Sequence, residues 1–178
     1  MSSGREEEHR RALETLYVAH ERGLYNAAYR YVWNADDARD VVQDAFVRLW
    51  DKRERVEWDR AAGLAYTIVL GIAHNRRRGS AIRRALGFGR GDELPEVAAP
   101  GRIDDQLAAA RLDATVRRCI DELPERLRSV LVMAMFSGLD YAEIGLALGL
   151  PSGTVGSRRT EAVARIRARL EELDHVQR

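Results

Sequence analysis

Cysteine is almost absent from this 178-residue chain, lysine is as rare, and no long apolar run occurs. The single cysteine, Cys119, excludes an internal disulfide and fits a reducing, cytoplasmic setting. No stretch approaches the ~20 consecutive apolar residues of a membrane span. The polar start MSSGREEEHRR is unlike a secretory signal peptide. Four scattered histidines, His9, His20, His74 and His175, show no metal-ligand spacing. A phosphate-binding glycine loop and a nucleophile motif are missing too, so neither an enzyme nor a metal or cofactor is expected. Period-two alternation of β-branched residues is also missing, which excludes a sheet-based fold.

What is present is helical periodicity and an uneven charge. The formal net charge is only +1. Residues 1–90 nevertheless carry +4, residues 91–125 carry −5 and residues 126–178 carry +2. Of the 29 basic residues all but Lys52 are arginine, whose planar fork suits phosphate better than a lysine point charge. From Glu6 to Trp33 the apolar spacing predicts one or two helices, with Gly23 as a possible break. Asn34 stands as a cap before DDARDVVQDAFVRLW, residues 36–50, where Ala38, Val41, Val42, Ala45, Phe46, Leu49 and Trp50 make one apolar stripe. Residues 51–63 lose the period and read as a polar loop containing Trp58. From Leu64 a helix-like run passes from apolar to strongly basic. The glycine-, proline- and acid-rich stretch after Arg84 then reads as a linker. A second helical block begins near Asp104. In it Cys119 takes a core position, and Asp140 with Glu143 forms a capping box.

Two basic features could meet a polyanion. In LGLPSGTVGSRR, residues 148–159, Gly149 can end one helix in the left-handed region, Pro151 cannot continue it and Ser152 can cap the next. That is helix-turn-helix geometry. Thr154, Ser157, Arg158, Glu161 and Arg165 would face away from the stripe of Val155, Ala162, Ile166 and Leu170. Such a face can enter a major groove, and it is equally the solvated side of an ordinary helical hairpin. NRRRGSAIRR, residues 75–84, holds five arginines and no acid. It can be a solvated helix end, or a phosphate grip with Trp58 and Tyr66 as nearby aromatics for unpaired bases.

Taken together, DARDVVQDAFVRLW, IAHNRRR, LPERLRSVLVM and LDYAEIGLALGLPSGTVGSRR resemble, in that order, motifs of bacterial sigma factors of the extracytoplasmic-function group. The resemblance covers roughly residues 10–84 and 104–173. It implies an all-α chain of two small helical domains joined by a flexible linker: region 2 over 6–84, linker 85–103, and a region 4 helix-turn-helix over 104–174. It also implies an alternative sigma factor that binds core RNA polymerase and directs promoter recognition, strand opening and initiation, the polymerase itself doing the chemistry. Asp40, Gln43, Asp44 and Val47 match the polymerase-docking positions. Trp58, Asn75, Arg76, Arg77 and Arg78 match the −10-reading surface, and Thr154, Ser157, Arg158 and Arg165 the −35-reading helix. Promoter DNA and an anti-sigma factor are the further partners implied, with the chain in the cytoplasm or held at the membrane by that anti-sigma factor. The chain departs from the family pattern at Ala65 and Ile68, where aromatics are usual, and on the recognition helix at Gly156, Arg159, Glu161 and Val163. Arg159 is expected to snorkel from the packed stripe. A free-standing helix-turn-helix regulator is a second reading, but no effector-pocket signature or heptad seam supports it; a helical adaptor that binds only proteins is a further one, and it predicts no polymerase-dependent DNA footprint.

Overall fold

The computed structural model describes residues 2–85 and 114–176, and there the chain is helical, with no strand among the described residues. The first helix, α1 (Ser2–Val32), runs unbroken through Gly23. Gly23 is a close-approach position rather than a break: a Cβ there would lie 2.1 Å from Tyr66 Oη and 2.4 Å from the Phe136 carbonyl. Trp33 ends α1 with a φ of +53°, a conformation rare for a bulky residue. Its indole is buried against the guanidinium groups of Arg30 and Arg117, 5.3 and 5.6 Å from the ring centre. Asn34 then caps α2 (Ala35–Asp51), its side-chain oxygen accepting from the amides of Asp36 and Asp37. Residues 51–63 are not a simple loop. They form two short 3-10 turns, Arg53–Arg55 and Trp58–Arg60, which lead into α3 (Ala61–Ala85) three residues before Leu64.

These three helices pack through small side chains. Ala27 and Ala28 of α1, Ala38 and Ala45 of α2, and Ala65 and Ala73 of α3 are all fully buried, which lets the backbones approach closely. Leu24, Tyr31, Val41, Leu49, Tyr66 and Val69 fill the space between them. Ala65, one of the departures from the family pattern, sits in this core, and Ile68 packs at its edge.

In the second block α4 is described over residues 114–121. It is followed by α5 (Glu125–Phe136), α6 (Tyr141–Leu148) and α7 (Ser152–Val176). The Asp140–Glu143 capping box forms on both sides, and Gly149 takes the left-handed φ of +65° that a glycine adopts without strain. Ser152 is not the cap of α7. It lies inside the first turn, and the Pro151 carbonyl accepts the first bonds, from the amides of Thr154 and Val155. Leu123, Leu127, Leu131 and Ala162 form a small core of their own, with Ile166 at its edge. The expected linker, 85–103, lies outside the described residues except for its first residue, as do residues 104–113.

The two blocks are in direct contact. Val130, Val132, Met133, Ile144 and Val155 of the second belong to the same apolar cluster as Leu24, Tyr31, Tyr66 and Val69 of the first. Tyr66 Oη donates to the Phe136 carbonyl at 2.9 Å, and Thr67 Oγ1 lies 3.2 Å from the Ala147 carbonyl. Burial pushes the Tyr66 hydroxyl up to about 12.

Candidate nucleic-acid and polymerase-binding surfaces

The amphipathic pattern of α2 turns its alanines and valines inward and leaves Asp40, Gln43 and Asp44 exposed, with Val47 at 59% exposure. An exposed valine framed by carboxylates and an amide suits a partner that brings an apolar contact and basic groups together. Arg76 reaches this face from α3. Its guanidinium lies 3.0 Å from Asp37 Oδ1, 3.3 Å from Asp40 Oδ2 and 3.3 Å from Asp44 Oδ2. Arg76 therefore ties α3 to α2, whereas the sequence suggested a member of a phosphate-facing row.

The rest of that row is split as well. Asn75 and Arg78 are exposed and make no hydrogen bond or ion pair with the described residues. Arg77 turns toward the second block, where it donates to the Asp121 carbonyl at 3.0 Å and pairs with the Asp121 carboxylate at 3.4 Å. Trp58 is only partly exposed. It packs on the core and donates its indole N–H to His9 Nδ1 at 2.9 Å. From Ala61 to Asn75 α3 rises by roughly 21 Å at 1.5 Å per residue, so Trp58 and the basic turn lie at different ends of it. The two are not brought together; a strand touching both would have to follow the helix.

On α7 the inward positions are as the spacing indicates: Val155 and Ala162 are fully buried and Ile166 half-buried. Ser157 and Arg165 are exposed, while Thr154 and Arg158 are half-buried at the edge of the exposed face. Arg165 pairs with Glu161 at 2.9 Å, and Glu161 is shared with Arg126 at 3.5 Å. Arg158 has no ion pair with the described residues. Arg159 is exposed and takes no part in the packed stripe. A Cβ on Gly156 would meet the Tyr141 ring at 3.5 Å, an ordinary contact, so packing does not demand a glycine there.

Sequence reasoning missed a polar cluster where the blocks meet. Tyr31 Oη donates to Glu125 Oε1 at 2.6 Å, and His74 Nδ1 lies 3.0 Å from Glu125 Oε2. Trp33 Nε1 donates to Asp121 Oδ1 at 3.2 Å. Arg128, 2% exposed, holds the carbonyls of Ile120, Asp121 and Leu123, and its guanidinium lies 5.5 Å from the Tyr31 ring centre. Burial, then the Glu125 charge, drives the Tyr31 hydroxyl far above its ordinary range. Burial and the neighbouring Arg77 cation pull the Arg128 guanidinium down. Cys119 is buried, and burial followed by the Glu122 charge holds its thiol up, which suits a packing role rather than a reactive one.

Comparison with known proteins matches these two blocks to two family models. Residues 16–82 match Sigma-70 region 2, and residues 113–175 match Sigma-70, region 4. The RNA polymerase sigma-H factor of Pseudomonas aeruginosa is 29% identical over 162 residues, covering 84% of this chain and 81% of that protein. The ECF RNA polymerase sigma factor SigL of Mycobacterium tuberculosis is 28% identical over 163 residues, 90% of each. CnrH, solved in complex with the cytosolic domain of CnrY, shares the fold with a TM-score of 0.67 and 24% identity, over 96% of this chain and 94% of that one. With its two regions matched in order over most of its length, on an all-helical frame that ends in a helix-turn-helix, the chain belongs to the sigma-70 family, in the extracytoplasmic-function group.

Proposed function

We infer that this chain is an alternative sigma factor that binds core RNA polymerase and directs promoter recognition, strand opening and transcription initiation. The observation that carries the reading is the ordered pair of matched regions on two helical blocks. Region 2 is assigned to residues 6–84, the linker to 85–103 and region 4 to 104–174.

The exposed face of α2, with Asp40, Gln43, Asp44 and Val47, is assigned to polymerase docking. The exposure of Val47 supports this, since an apolar side chain left in water gains by being covered. Asn75, Arg77 and Arg78 are assigned to the −10 element, as base contact and phosphate contacts, and Trp58 to stacking of an exposed base. Arg76, paired with Asp37, Asp40 and Asp44, instead lowers the net negative charge of the α2 docking face. On α7, Thr154, Ser157, Arg158 and Arg165 are assigned to the −35 element, where arginines reach phosphate or guanine edges. No ATP is required for opening: binding of the unpaired strand offsets the cost of unstacking it. The polymerase performs the chemistry, and the sigma factor has no catalytic residue of its own.

Among the described residues no helix is long and apolar enough to cross a membrane. The chain is placed in the cytoplasm, or at the membrane through an anti-sigma factor. CnrH, which shares this fold, was solved with a protein partner, which supports an anti-sigma partner here.

Run-off transcription from a fragment library, with core polymerase in the presence and absence of the chain, tests the function. Chain-dependent start sites are expected, and their absence sinks the reading. Val47→Asp is expected to weaken co-purification with core polymerase at least tenfold and leave the unfolding midpoint unchanged. Unaltered binding would move the docking face elsewhere.

A further inference from the structure

Glu161 is the one acid between Ser152 and Leu170, a stretch of α7 that carries five arginines. It stands on the face assigned to DNA. Thr154, Arg158, Glu161 and Arg165 are spaced by four, three and four residues, so they stack on successive turns of one side of the helix. The Glu161 side chain is 41% exposed and is held from two helices. Arg165 Nη2 of α7 lies 2.9 Å from Glu161 Oε1, and Arg126 Nη2 of α5 lies 3.5 Å from the same oxygen. A surface ion pair adds little to stability. What the two guanidinium groups do here is fix a carboxylate in place and outweigh its charge, two cations to one anion, so that it can stand close to phosphates. Each guanidinium has five N–H donors, so both arginines keep some of them for the DNA backbone.

We propose that Glu161 is a specificity-determining residue of the −35 contact, its carboxylate accepting a hydrogen bond from the N4 amino group of a cytosine in the major groove. The proposal rests on the assignment of α7 to the −35 element. In the major groove cytosine offers an amino donor alone, whereas guanine presents O6 and N7 and thymine presents O4, all acceptors that a carboxylate repels. Adenine sets its amino donor beside the N7 acceptor, which suits an amide better than a carboxylate. Glu161 stands three residues past Arg158, ~4.5 Å at 1.5 Å per residue, so its cytosine lies about one base pair along the groove from the pair that Arg158 meets. Arg126 is a positioning residue for this contact, because it holds the carboxylate from α5 and fixes its distance from the groove floor.

The test uses the full chain with core polymerase on promoters randomised across the −35 element, each with a barcode in its transcribed part. Sequencing the run-off transcripts then gives the base preference at every −35 position. The unmodified chain is expected to favour cytosine, on one strand or the other, by roughly fivefold at one position. That is the low end of what a two-bond base contact gives, since the carboxylate meets a single donor. Glu161→Gln keeps the shape and is expected to move that position to adenine, whose N6 and N7 an amide meets together. Glu161→Ala is expected to leave the position without preference, and Arg126→Ala to weaken the cytosine preference there. The other positions are expected to keep theirs in all three variants. If the Glu161 variants retain the unmodified preference everywhere, or lose it at all positions alike, Glu161 only braces α7 against α5 and the proposal is overturned. If the unmodified chain initiates equally from every −35 sequence, the assignment of α7 to the −35 element is the part that fails, and base reading by Glu161 falls with it.

Discussion

Arg128 shows how much one side chain can settle. It lies in LPERLR, a stretch with no outward sign of a buried charge, yet it is among the largest fully buried side chains of the described residues. Its guanidinium accounts for three carbonyls at the end of α4 and the turn before α5, groups that an α-helix leaves unpaired at its C-terminus. Arg128→Met keeps the volume and removes the donors. Ile120 keeps the Leu123 amide and Asp121 keeps Arg77, so the Leu123 carbonyl loses its donor and the expected loss is about 1–3 kcal/mol, read as a lower urea midpoint. An unchanged midpoint would mean that water serves that carbonyl equally well. The sequence could name Arg128 as part of a motif. That it points inward depends on where Ile120 and Leu123 place their carbonyls, which no local spacing encodes.

At the scale of elements, helix limits and caps follow from local chemistry and were legible. Asn34, the Asp140–Glu143 box and Gly149 act where the residue types indicate. Local rules fell short where a tertiary contact competed. Gly23 reads as a break by propensity, yet the helix continues, because the missing side chain is what lets Tyr66 and Phe136 approach. Ser152 resembles a cap, but Pro151 supplies the carbonyl that starts α7. The −35 assignment also belongs to this scale, since it depends on which face α7 presents. Gly156→Ala adds a methyl at ordinary contact distance from Tyr141 and a gain of ~1 kcal/mol in helix propensity. It is expected to leave −35-dependent initiation near the unmodified level. Arg158→Ala should reduce it at least tenfold, measured by run-off from a promoter with an intact −35 element against one with a scrambled one. Equal losses would mean that α7 is oriented differently on DNA.

For the whole molecule the decisive feature is the junction of the two regions. Gly23 touches both sides of it, Tyr66 in region 2 and Phe136 in region 4. Gly23→Ala would force atoms apart that lie well inside contact distance. Overpacking of this kind costs roughly 1–3 kcal/mol, so calorimetry should show a lowered unfolding temperature, with far-UV dichroism still reporting a helical chain. A midpoint equal to that of the unmodified protein would show that the junction yields at no cost.

By itself the sequence determined the all-helical class, the order of the two blocks, most helix ends and the outward acidic face of α2. Each of these follows from the 3.6-residue period and from groups that act within four residues of one another. Only the tertiary structure decided that Arg76 would be held by Asp37, Asp40 and Asp44, that Arg77 would turn to Asp121, and that Tyr31 and His74 would share Glu125. Those partners lie 32 to 94 residues apart in sequence. A charge shows its sign in the sequence, but its partner is chosen by the packing of the helices that carry the two groups.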